Sequence, residues 1–288
     1  MISLVIIFNE LVFYMLNHSH LTLPALGVTV AMYEGGNPGG LPLFFLHGNS
    51  LAADIFGRQL LDPAFQQFRL VAIDLPGHGQ SPATPGHYSV PAMRAVVLAA
   101  VRALRLEQAL VVAHSLSGLL MFDLLPDLPM LRGLMAVGAP PVTTGNDVQA
   151  AFQGNETVAL YYTDTVTEAQ AEAMARYALR PDETDDSVML LAADILRADG
   201  SFRTELGASL GAGELGDQVG SVARTAVPLA LVAGALDHAL HLVYYDMLIA
   251  PSRWGLPVHL VPGVRHTPFL ESPTVFNRLL LEFEAATR

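Results

Sequence analysis

The chain has 288 residues, 52% of them apolar and 15% charged. That is enough for one large buried core, or for a core with an inserted subdomain, and it excludes a disordered chain. The net charge of −12, from 27 acidic residues and 15 basic ones that are all arginine, argues against a nucleic-acid footprint. With no cysteine, disulfides, thiolate metal sites and a cysteine nucleophile are excluded together.

Residues 1–16 (MISLVIIFNELVFYML) are mostly apolar. No basic residue precedes the run, Asn9 and Glu10 interrupt it, and no small-residue cleavage site follows. It is also shorter than the roughly 20 residues of a spanning helix. An extra apolar helix, or a start at Met15, is expected in place of a signal or anchor, and the protein is expected to be cytoplasmic with no membrane partner. Strands are predicted at 20–23 and 28–33. Two continuous apolar runs at 43–46 and 69–74 read as strands buried on both faces. A helix at 93–104, a strand at 110–113, a helix at 116–125 stopped by Pro126, and a strand at 133–137 follow. This alternation predicts an α/β fold with a mostly parallel sheet covered on both sides.

After Pro140 and Pro141 the rhythm changes. Residues 142–226 lack strand-like runs and read as helical: Thr167 and Gln170 form a capping box ahead of 171–179, and 187–197 is a second periodic segment. Gly207, Gly211, Gly213, Gly216 and Gly220 read as a flexible connection that could hinge the insertion. Strand patterns resume at 228–233 and 258–261, and an amphipathic helix covers 274–285. The expected organisation is a core domain at 20–141 and 227–288, a helical insertion at 142–226, and an N-terminal extension at 1–19.

The chemistry concentrates where strands end. In LVVAHSLSGLL (110–120) a strand runs directly into a helix with Ser115 at the corner. A hydroxyl held off a sheet in this way can act as a nucleophile, provided small residues flank it; Ala113 and Ser117 stand where the usual G-x-S-x-G nucleophile elbow has glycines. Asp237 follows the strand 228–233, and His266 follows the strand 258–261. Both therefore fall at the carboxyl edge of the sheet, in the order Ser, Asp, His, as orienting acid and general base. An oxyanion hole would take its backbone N–H groups from Leu116 and from Asn49, in the loop His47-Gly48-Asn49-Ser50.

FFLHGNS, VAIDLPGHGQS, VVAHSLSG, LVAGALDHA and VPGVRHTPFLESP together resemble the α/β-hydrolase superfamily, over about residue 28 to the end. The resemblance implies an eight-stranded, mostly parallel sheet flanked by helices, and an inserted helical cap over a substrate pocket. It also implies neither metal nor organic cofactor, and a fold-making role for Asp74, Gly77, His78 and Gly79. An esterase acting on a small or medium, partly apolar ester is the first reading. Carbon–carbon bond hydrolysis or perhydrolysis with the same residues, or a receptor-like ligand-binding protein on the same scaffold, are the alternatives; natural substrate and oligomeric state are open. The rate should fall as His266 protonates, near or below its reference pKa of about 6.5. Gly211 to Gly216 spells G-x-G-x-x-G, but no strand precedes it and no dinucleotide site is expected.

Overall fold

A computed structural model describes residues 16–143 and 145–288. Most of the apolar N-terminal stretch therefore lies outside the described residues. Eight strands form one sheet: β1 (Asn17–Leu23), β2 (Val28–Gly36), β3 (Pro42–Leu46), β4 (Arg69–Ile73), β5 (Leu110–His114), β6 (Gly133–Val137), β7 (Leu229–Gly234) and β8 (His259–Val261). Their order is β1-β2-β4-β3-β5-β6-β7-β8. β1–β2 and β2–β4 pair antiparallel, and every pair from β4–β3 to β7–β8 is parallel. β1 begins at Asn17, three residues before the sequence pattern suggested. Its polar start is an exposed edge, with the His18 ring stacked 5.0 Å from Tyr33.

The strands from β3 to β7 are almost wholly buried because helices cover both faces, so each contributes to two core layers. Phe44, Leu46, Val111 and Ala113 face one layer; Leu43, Phe45, Leu110 and Val112 face the other. On the first face pack α2 (Val90–Ala103) and α3 (Leu116–Leu124); on the second pack α1 (Gly57–Leu60), α10 (Pro268–Glu271) and α11 (Pro273–Ala286). The short α1 and α10 escaped the sequence reading, since a single helical turn leaves no period to detect. β3 lies between β4 and β5, so the chain leaves the carboxyl end of β3 in one direction and that of β5 in the other. Such a reversal opens a crevice at the carboxyl edge, where ligands bind in open α/β sheets.

Among the described residues six helices lie between β6 and β7: α4 (Gly145–Ala151), α5 (Glu156–Leu160), α6 (Glu168–Ala178), α7 (Asp185–Arg197), α8 (Gly200–Gly211) and α9 (Gln218–Arg224). Thr167 and Gln170 close the capping box at α6. Met174, Leu191 and Ile195 join one core layer of the sheet, while Phe202, Leu206 and Val222 join the other. The glycine-rich stretch is not the flexible connection expected. Gly207 lies inside α8 and Gly220 inside α9. Buried Phe202 and Leu206 hold α8 against the core, and Asp217 caps α9 through the Gly220 N–H at 2.8 Å. At the start of α9, the buried Gln218 accepts from the Val142 N–H (3.1 Å) and donates to Leu119 O (2.9 Å). Packing and capping outweigh the weak helix propensity of glycine. Among the described residues no helix is long and apolar enough to cross a membrane.

Candidate active site

Ser115 stands between β5 and α3 with φ 51° and ψ −117°, a conformation that L residues avoid. Its N–H donates to Val137 O (2.8 Å), which ties the corner to the end of β6. The loop after β3 crosses close by: a Cβ on Gly48 would lie 2.7 Å from His114 Nδ1 and 3.0 Å from Ser115 Cβ, so only glycine fits. Among the described residues neither the Asn49 nor the Leu116 N–H finds an acceptor. The Asn49 side chain is engaged elsewhere, donating to Tyr161 O (3.3 Å) and accepting from Ser50 Oγ (2.8 Å). The backbone strain gives a first prediction. Ser115→Gly should relieve about 1–3 kcal/mol against about 0.5–1 kcal/mol of added chain entropy. The net of about 1 kcal/mol corresponds to a Tm about 2 °C higher at this size. A lower Tm by calorimetry would show the corner to be unstrained.

His266 and Asp237 meet as their strand positions suggest. His266 Nδ1 lies 2.7 Å from Asp237 Oδ2, and the buried carboxylate also accepts the Ala239 N–H at 3.0 Å. That contact places a proton on Nδ1 and leaves Nε2 to act as a base. The imidazole lies over Gly138, the residue after Val137: a Cβ there would come within 2.9 Å of His266 Cε1. Ser115 and His266 thus share the end of β6, although no hydrogen bond joins their side chains among the described residues. Such bonds commonly tighten only once substrate is bound. Burial alone pushes the His266 pKa down, but the charge and hydrogen bond of Asp237 outweigh it, and the net shift is upward from 6.5. Protonation of this imidazole is therefore displaced above 6.5, whereas the reference value alone placed it near or below that.

Three neighbours of this site escaped the sequence reading. His114 Nε2 donates to His266 O (3.0 Å), which leaves its Nδ1 buried and, among the described residues, without a partner. Burial, and then the His266 charge, push His114 well below 6.5, so it stays neutral. Ser117, read only as small, donates its hydroxyl to His47 O and fastens the loop to the start of α3. Glu271 accepts from the N–H groups of Arg265 (3.1 Å), Thr267 (3.1 Å) and Arg180 (2.7 Å), so it frames the His266 loop from both sides. Asp74 accepts from Tyr33 Oη (2.8 Å) and from the N–H groups of Ala53 (2.7 Å) and Gln80 (2.8 Å), as a fold-making residue would.

A sequence profile described as the alpha/beta hydrolase family matches residues 43–279. The chain belongs to the alpha/beta hydrolase family. It is accordingly a hydrolase, with the eight-stranded sheet of that fold. It is 29% identical over 248 residues to a pimeloyl-[acyl-carrier protein] methyl ester esterase of Edwardsiella ictaluri, covering 84% of this chain and 92% of that one. Among solved structures it is similar to the N-acyl homoserine lactonase AidH, with a TM-score of 0.85, 29% identity, and coverage of 94% and 97% of the two chains. The esterase RhEst1 of Rhodococcus sp. ECU1013, at 20% identity and a TM-score of 0.79, shares the fold over 95% of this chain and 100% of its own.

Proposed function

We propose that this hydrolase cleaves a small or medium carboxylic ester through an acyl-enzyme on Ser115. The observation that carries the reading is the His266–Asp237 pair at 2.7 Å, set over the end of β6 to which Ser115 is also tied. Ser115 Oγ attacks the ester carbonyl while His266 Nε2 accepts its proton. The negative charge that develops on oxygen meets the Asn49 and Leu116 N–H groups, each worth about 10²–10³ in rate. The alcohol leaves with the proton returned by His266, and water then resolves the acyl-enzyme by the same steps. Throughout, Asp237 holds the imidazole in the reactive tautomer. The methyl ester esterase and the lactonase support the ester class, because a lactone is a cyclic carboxylic ester. The insertion at 142–226 is read as the cap over the acyl group.

Labelling with a fluorophosphonate, located by peptide mass, tests the proposal. An adduct on Ser115 that disappears in Ser115→Ala and in His266→Ala is the expected result, followed by turnover of methyl esters and γ-lactones graded by acyl length. No adduct on folded wild type would reject an activated serine and favour ligand binding on the same scaffold. Turnover of vinylogous dienone acids that exceeds ester turnover by orders of magnitude would favour carbon–carbon cleavage.

A further inference from the structure

The loop that carries Asn49 is fastened from two directions. It turns at residues 48–51, with the Leu51 N–H bonded to Gly48 O (3.3 Å) and Ser50 in the left-handed region at φ 58°. From the sheet domain, His78 Nε2 accepts the Ser50 N–H (3.2 Å) and Asp74 accepts the Ala53 N–H (2.7 Å). From the insertion, Asp194 Oδ2 accepts the Ala52 N–H (3.1 Å), and Tyr161 O, just past α5, accepts the Asn49 side-chain amide (3.3 Å). Two bonds from the insertion therefore bracket the turn that presents the Asn49 N–H.

Asp194 is buried on α7 and paired with Arg197 one turn on; Arg197 also reaches Asp54 Oδ2 at 3.6 Å. Both oxygens of the buried Asp54 lack a hydrogen-bond partner among the described residues. Burial pushes Asp54 up to about 6 against the pull of Arg197, and burial followed by the Asp54 charge pushes Asp194 up as well. Asp194 therefore does two things: it balances the charge of Arg197, and it accepts the Ala52 N–H. Only the second reaches the turn that presents the Asn49 N–H.

We infer that Asp194 is a positioning residue: it holds the Asn49 N–H in place only while the insertion is seated on the sheet domain. An insertion that lifts away withdraws the acceptors for Ala52 and Asn49 together and disassembles the oxyanion site. Seating of the insertion and completion of the site become one event. The inference rests on the proposed role of the Asn49 N–H.

The test compares Asp194→Leu and Asp194→Asn with wild type after titration to completion with a fluorophosphonate, so that kcat is counted per competent site. Asp194→Leu should lower kcat per site about 10- to 100-fold, in keeping with a displaced oxyanion donor, with KM within about twofold. Asp194→Asn, whose amide oxygen can still accept from Ala52, should recover kcat to within a few-fold. Wild-type kcat per site in Asp194→Leu, or a change in KM alone, overturns the inference even if the variant is less stable. Should that variant not fold, hydrogen exchange on wild type in sub-denaturing urea decides. Amides of 50–53 should lose protection together with those of 185–197, and loop amides that stay protected while the insertion opens overturn it. Failure of wild type to label at Ser115 counts against the ester reading, and the exchange experiment then decides on Asp194 by itself.

Discussion

Ser115→Ala is expected to lower ester turnover by about 10⁴- to 10⁶-fold, the range found when a nucleophile that works as a unit with its base is removed. The loss should be chemical and not structural. The corner is held by the Ser115 N–H on Val137 O and by the bond from the Leu119 N–H to Ser115 O, both of which survive loss of the hydroxyl. Near-UV circular dichroism and Tm should therefore stay close to wild type while kcat falls and the phosphonate adduct disappears. Adding His266→Ala should cost little more, since a base with no nucleophile to serve has nothing left to contribute. Retention of more than about one part in a hundred of wild-type kcat would sink Ser115 as the nucleophile. A double variant that loses activity additively would separate the two residues into independent roles.

Three of the four parts of this site that could be read from the sequence share one property: Asn49, Ser115 and Asp237 each follow a strand buried on both faces. LFFL, LVVA and LALVA are visible as short apolar blocks because the sheet is covered on both sides there, whereas His266 follows the edge strand β8, whose Leu260 is exposed. A residue just past such a strand must emerge at the carboxyl edge, which is how Asn49, Ser115, Asp237 and His266 could be placed together. His114, Ser117 and Asp194 were invisible for the converse reason. Their partners are 70 residues away for Ser117 and His47, 152 for His114 and His266, and 142 for Asp194 and Ala52. Such a pairing is set by tertiary packing, and no local pattern encodes it. The glycine-rich stretch failed in the same way: five glycines argue for a loose chain, but Phe202, Leu206 and Gln218 fasten it through contacts made elsewhere in the sheet domain.

Asp237→Asn is expected to lower kcat by about 10⁴-fold, because an amide that donates to Nδ1 forces the imidazole proton onto Nε2, the nitrogen that must accept from Ser115. The same substitution should move the acid limb of kcat/KM to lower pH. In wild type the carboxylate overcomes the burial that pushes His266 down; without it burial dominates, and only the more distant charge of Glu271 still favours the imidazolium. Stability carries an independent signature of opposite sense. The folded pKa of His266 lies above its unfolded value, so the Asp237–imidazolium pair stabilises the fold fully below about pH 6.5 and loses that contribution as pH rises through the folded pKa. The Tm gap between wild type and Asp237→Asn should accordingly be wider at pH 5.5 than at pH 9. An acid limb that does not move would mean that the titrating group lies elsewhere. A Tm gap that is flat in pH would show that Asp237 holds the ring by geometry alone and that its charge does not favour the imidazolium.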